Sequence, residues 1–396
     1  MRFRDTIMQA TRRGFGRTAA AIGLLGATGA AALIGTTSFA QAARRVPGWK
    51  IIVGQSIPMT GAANEIGMAF AAGAKLYVDA WNEHGTTGPT LELRQLDDGY
   101  DGERAKANST KLLGNGADVL FGYVGTASSM AGAQVAQQQG AAFFAPFAAP
   151  DLLRDKAHAN VFHVRPSMAD EAFAMLRHCD ILGQKRIAVV ADDDAMGRAA
   201  LQAVQDAAVE LKLAPPVATV FVKPGSTQVA AAVAVIAKAE PQTIIQASLS
   251  STTAAFVREM RKTGYGSAFM TFSVVGIDPL YTALGKEIRG VIISQVVPSP
   301  RSSATVAIVK EYLVAVGDSD QIASYEGLEG FIAAKALAEA ARRAGPSPTR
   351  VALQKAMTGM TDYDVGGFRV NLRPPLHDAA RAVDLVYITA EGRVLR

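Results

Sequence analysis

Short apolar runs alternate along this chain with longer stretches in which apolar residues recur at helical spacing. Lys50-Ile51-Ile52-Val53-Gly54 is a continuous apolar run closed by glycine, the pattern of a strand buried on both faces. Residues 62–83 follow, with Ile66, Phe70, Ala74, Val78 and Trp81 close to one face of a helix. The same beat predicts strands at 91–96, 119–122, 142–146, 186–191, 217–222, 243–246, 268–273 and 290–297. Helices are predicted between them at 103–113, 127–139, 196–211, 228–239 and 252–262, then at 303–316 and 324–343. The end of the chain reads as strands at 367–370 and 383–388.

Strand–helix alternation at this pitch implies parallel sheets with helices on both faces. It comes in two runs, before and after about residue 167. The fold expected is therefore α/β, with two doubly wound lobes. Ligands of such sheets bind beyond the carboxyl ends of the strands, so two facing lobes would hold one in the cleft between them.

The first residues follow another pattern. Thr11-Arg12-Arg13-Gly14-Phe15-Gly16-Arg17 precedes an uncharged, Gly/Ala/Thr-rich run from Thr18 to Phe39, and Ala40-Gln41-Ala42 ends it with small residues. This is the layout of a cleaved export signal of the twin-arginine type over residues 1–42. The Sec route and a retained anchor are the alternatives, since the run is long enough to span a bilayer. The signal also carries most of the charge. The whole chain is +5, and residues 1–42 hold Arg2, Arg4, Arg12, Arg13 and Arg17 against Asp5 alone. The remainder is nearly neutral and shows no basic stripe, so a nucleic-acid partner is not expected. Cys179, the only cysteine, permits no internal disulfide and reads as a small buried apolar residue.

Enzyme motifs are missing. The first strand–helix turn, Gly54 to Gly61, lacks the G-x-G-x-x-G spacing of dinucleotide sites and the lysine of a P-loop. No G-x-S-x-G elbow occurs. His84, His158, His163, His178 and His377 never fall at metal-ligand spacing. Asp192-Asp193-Asp194 reads as solvated acids and a helix N-cap rather than a cation site. No cofactor or metal is expected, and the chain reads as a non-enzyme.

Several stretches, taken in order, resemble one family. They include Ile52-Val53-Gly54 through Pro58-Met59-Thr60-Gly61, then Asn82-Glu83 and Asp97-Asp98-Gly99-Tyr100-Asp101. Gly122 with Gly125-Thr126-Ala127-Ser128, Val161 to Ser167, Arg186 to Asp193, Gly197-Arg198 and Tyr325 to Gly330 continue the match. The set resembles the type I periplasmic binding proteins, in particular the leucine/isoleucine/valine-binding proteins of branched-chain amino-acid ABC transporters. The resemblance implies two lobes joined by a three-strand hinge. Lobe 1 would take residues 49–167 plus 295–365, and lobe 2 residues 168–294 plus 366–396. It implies a periplasmic protein that closes on a small solute and docks on a membrane permease. A sensory binding protein facing a membrane receptor and an exported enzyme on the same scaffold are the other readings.

Carried over residue by residue, the family's carboxylate-holding hydroxyl falls on Thr126, with the loop around Phe147 supplying backbone N–H groups. The ammonium side departs from the family. Ala149 stands where a Thr hydroxyl is expected, Met196 where a Tyr is, and Leu249 or Ser250 at a second Tyr position. Ser273 stands at the position of the acid that pairs the ammonium. With Ile66 lining the first helix, this implies a small carboxylate with an apolar body and no amine. Glu326 or Asp278 would supply an acid from elsewhere and restore an amino acid.

Overall fold

The computed structural model describes residues 49–84, 88–147, 150–301, 305–373 and 383–395. The export signal expected over 1–42 lies outside them. The chain opens with β1 (Lys50–Ile57), α1 (Asn64–Glu83), β2 (Thr90–Asp97) and α2 (Gly102–Gly114). It continues with β3 (Val119–Phe121), α3 (Thr126–Gln138), β4 (Ala142–Phe144) and β5 (Val161–Phe162). Next come α4 (Met168–Ile181), β6 (Ile187–Asp192), α5 (Ala195–Glu210), β7 (Ala218–Val222) and α6 (Ala230–Lys238). Then follow β8 (Thr243–Ala247), α7 (Ser250–Lys262), β9 (Ala268–Thr271), α8 (Ile277–Leu284) and β10 (Val291–Gln295). Three helices, α9 (Ala307–Gly317), α10 (Tyr325–Ala344) and α11 (Arg350–Thr358), lead to β11 (Tyr363–Asp364), β12 (Arg369–Val370), β13 (Asp384–Ile388) and β14 (Val394–Leu395).

Two sheets organise these elements. The first has the order β2-β1-β3-β4-β5 and is parallel throughout. The second has the order β14-β13-β10-β9-β8-β6-β7. Its β7-β6-β8-β9-β10 portion repeats the order of the first sheet in parallel, and β13 and β14 add antiparallel strands at one edge. Each sheet thus reverses strand order at one point, between β1 and β3 and between β6 and β8. Such reversals open a crevice at the carboxyl ends of the strands. The chain passes from the first sheet to the second after β5 and leaves the second after β10, and β13 belongs to the second sheet again.

Local chemistry decides where strands end. β1 runs past Gly54 because its polar tail is satisfied: Gln55 donates to the Gly122 carbonyl at 3.2 Å, and Ser56 donates to Asp98 at 2.8 Å. β4 stops at Phe144, two residues before the expected end, because Ala145 takes a left-handed turn with φ 52°. α10 is buried over most of its circumference and lies directly on α1. A Cβ added at Gly73 would strike the Gly327 carbonyl, and one at Gly330 would strike the Phe70 carbonyl, so only glycine permits this crossing. β11 and β12 form a separate hairpin tied to α9, where Ile308 N–H donates to the Gly366 carbonyl at 2.8 Å. The expected lobe boundary at 365/366 falls inside it. Cys179 is fully buried, with its thiol against Met270.

Candidate functional site

The two crevices face each other, and loops from both sheets meet there. From the first come Ile66 on the opening turn of α1, Tyr100 after β2, Gly125 before α3 and Phe147 after β4. From the second come Met196 in the first turn of α5, Leu249 before α7 and Val274 after β9. Ile66, Phe147, Met196 and Leu249 are all buried, with only 2–4% of their surface exposed. The space they enclose is about 10 Å³, room for roughly one water, so the walls are in contact. Phe147 meets the edge of Phe70 with ring centroids 5.6 Å apart, and the Arg165 guanidinium lies over its ring at 4.5 Å.

A second cavity of about 230 Å³ adjoins it and shares Tyr100, Gly125 and Met196. The N-termini of α3 and α5 reach it from opposite sheets. Thr126, expected to offer its hydroxyl, is buried as the first residue of α3 but is not among the lining residues. Ser128 is, and its buried Oγ has no hydrogen-bond partner. On the α5 side Asp194 accepts from Gly197 N–H at 2.8 Å and caps the helix. Asp192 is not a solvated acid as expected. It is fully buried, accepts from Leu249 N–H at 2.9 Å through one oxygen, and has no partner for the other. Burial pushes its carboxyl up to about 7.

Tyr100 was quoted in the sequence pattern but not foreseen in the site. Its backbone sits at φ 68°, held by a 2.9 Å hydrogen bond from its own N–H to Asp98. Its ring fills the place where a Cβ on Gly125 would stand. Burial, with Asp194 and Asp192 nearby, pushes its hydroxyl far above the usual tyrosine range.

A third and larger cavity, about 520 Å³, lies between α1, α8 and the loop that leads into α10. Ile66 lines both this cavity and the apolar contact. Here the structure places Glu326, at the first turn of α10, and Asp278, on α8. Glu326 is 5% exposed. Burial pushes its carboxyl up to about 7, with Asp278 adding to the rise and the Ser324 hydroxyl and Arg301 opposing it. Asp278 is ion-paired with Arg301.

Ser273 departs from expectation. Its hydroxyl is taken by the Arg165 guanidinium and its N–H donates to Glu171 at 2.8 Å, so it serves a buried ionic cluster instead of facing the cavities. Arg165 also reaches Glu171 at 3.1 Å and Glu329 at 3.5 Å, and Ser294 donates to the same Glu171 at 2.5 Å. Arg165 comes from the first crossing segment, Ser294 from β10 and Glu329 from α10, so the cluster binds the hinge together. Burial pushes Glu329 up to about 7; Arg165 acts against this, and Glu171 and Glu326 add to it. Ala149 lies outside the described residues.

Residues 50–393 match the family described as periplasmic binding protein. A solved structure of a possible leucine/isoleucine/valine-binding protein from Rhodopirellula baltica SH 1 is 25% identical, with a TM-score of 0.82 over 89% of this chain and 98% of that one. A substrate-binding periplasmic protein from Ralstonia solanacearum is 30% identical, with a TM-score of 0.79 over 87% of this chain and 99% of that one. A leucine-binding protein from Thermotoga maritima MSB8 shares the fold at 18% identity, with a TM-score of 0.76 over 87% of this chain and 97% of that one. No curated protein matches. The family is one of ligand-binding proteins and implies a periplasmic location. Among the described residues no helix is long and apolar enough to cross a membrane. A match that spans both sheets, and a strand order common to them, place the chain in the type I periplasmic binding proteins of the leucine/isoleucine/valine-binding family.

Proposed function

We propose that this chain is the solute-binding component of an ABC importer, exported by residues 1–42 as a twin-arginine signal cleaved near Ala42. It captures a small carboxylate or amino-acid-like solute between its lobes and delivers it to a membrane permease. Residues 49–167 with the chain from 295 through the β11–β12 hairpin form one lobe, and 168–294 with β13 and β14 the other, because a boundary at 365/366 would split that hairpin. The observation that carries this reading is the meeting of Ile66, Phe147, Met196 and Leu249 across the crevices of two sheets. Apolar walls on both sides give a solute more contact in the closed state than in the open one, and that difference drives closure. The N-terminus of α3 with the unpartnered Ser128 hydroxyl supplies N–H and O–H donors for a carboxylate. Nothing in this arrangement calls for catalysis.

The test is thermal unfolding of the purified protein against amino acids, aliphatic and aromatic carboxylates and short dicarboxylates. A bound solute at a hundred times its Kd stabilises by about 2.7 kcal/mol, a plain rise in Tm. A rise with a member of the panel that returns unchanged from the protein supports the reading. A panel with no effect, or a solute that is converted, sinks it.

A further inference from the structure

We infer that Arg165 is the positioning residue that links the apolar wall of the cleft to the junction between the two sheets, so that seating the Phe147 ring and closing the lobes are one event. This rests on the solute-binding reading above and deepens it, by naming what turns contact at the wall into closure.

Three observations converge. Arg165 stands in the segment that leads from β5, in the first sheet, to α4 and the second, and it is almost wholly buried. Its backbone is fixed there, because the Arg154 guanidinium donates to its carbonyl at 3.0 Å. Its N–H groups serve elements from both sides of the junction. They donate to Glu171 on α4 at 3.1 Å and to the Ser273 hydroxyl after β9, and they reach Glu329 on α10, the helix that lies on α1, at 3.5 Å. The same guanidinium lies 4.5 Å from the centroid of the Phe147 ring. A planar guanidinium stacks on an aromatic ring while its N–H groups bind carboxylates, so both tasks fall to one side chain.

Phe147 is the wall residue on which this link acts. The first sheet places its backbone: its N–H donates to the Tyr123 carbonyl at 2.8 Å, and it bridges to Val124. Its ring has support from Phe70 within the same sheet's layer and from Arg165 at the junction. A rotation of one sheet against the other moves Glu171 and Ser273 relative to Phe147. One guanidinium meets both at a single angle, the angle at which the cleft walls touch. Away from it Arg165 keeps Glu171, since a buried ion pair is costly to break, and withdraws from the ring. A solute that presses on Phe147 therefore favours the closed angle through Arg165. Lysine at this position would keep the charge and lose the plane and the fork.

The experiment places spin labels on the purified protein through Glu103→Cys on α2 and Lys223→Cys after β7, both exposed, while the buried Cys179 stays unlabelled. Pulsed electron paramagnetic resonance reads the ratio of short to long distances, alone and with leucine, phenylalanine, 4-methylpentanoate or 3-phenylpropionate. R165K should lower that ratio by about fivefold or more, the worth of a buried cation–π contact. F147L should lower it as well, and the two substitutions together should lower it no further than the larger single effect, because both remove one contact. The Tm of each variant establishes that it is folded; a purely structural Arg165 would lower Tm and leave the ratio alone. If R165K does not fold, F147L carries the test. An unchanged ratio in R165K or F147L, or effects that add in full, overturns this inference and leaves the binding reading standing. A ratio that answers to both substitutions but to none of the named solutes keeps the link between wall and junction and counts against the binding reading.

Discussion

Glu171 and Glu326 are both buried acids close to the hinge, and they are treated differently. Glu171 accepts from the Arg165 guanidinium, the Ser273 N–H and the Ser294 hydroxyl, so its charge and lone pairs are answered from within. Glu326 lines a cavity, with the Ser324 hydroxyl and its own backbone N–H beside it and Arg301 acting on it from its pairing with Asp278. A buried charge whose partners are all internal fixes the relation of the segments that carry them. Composition does not separate these cases; the partners do.

The largest way to break this contrast is R165A. It would leave Glu171 and Glu329 buried without a counter-charge, at a cost of about 3–5 kcal/mol in urea unfolding. A loss under 1 kcal/mol would mean that water reaches the cluster and that it does not hold the hinge. Next comes the pair E171Q and E326Q, compared without solute. E171Q should cost about 2 kcal/mol, because charge-assisted hydrogen bonds are lost. E326Q should leave the midpoint unchanged or raise it, since it removes a carboxyl whose charge burial already disfavours. Equal losses in both would dissolve the distinction.

Acidification gives a smaller effect of predictable sign. Glu326, Glu329 and Asp192 are each pushed up to about 7 by burial, above the ordinary carboxylate range. Between that range and pH 7 the folded chain holds protons that the unfolded chain has released, so stability falls as pH rises through this window. Tm should therefore be higher at pH 5.5 than at pH 8, and the slope should shrink in a variant carrying E326Q and E329Q. A Tm that rises with pH across the window would contradict the burial of these acids. The smallest effect belongs to an exposed pair: Lys75 and Asp79 meet one turn apart on α1 at 2.7 Å. K75A should change stability by no more than about 0.5 kcal/mol, and raised salt should erase even that.

Much of the fold was legible. The apolar run at Lys50 to Gly54 and its counterpart at Arg186 to Ala191 became central strands of the two sheets. Met196 and Leu249 come together at the crevice because each follows closely on a strand's end, where a strand–helix turn fixes the direction in which the next residues emerge. That the Ser273 hydroxyl meets Arg165, 108 positions away, is a pairing no local pattern reveals. Tyr100 and Ser128 were missed because one depends on a left-handed backbone and the other on the direction of a hydroxyl.

The sequence by itself thus determined the alternation of elements, the class of sheet and the family. Each of these is written in spacing over a few residues, where backbone geometry acts. Only the tertiary structure decided which charges are paired with which. Ion pairing depends on distances across the hinge, and it set Arg165 on Glu171 and Glu329 and Arg301 on Asp278.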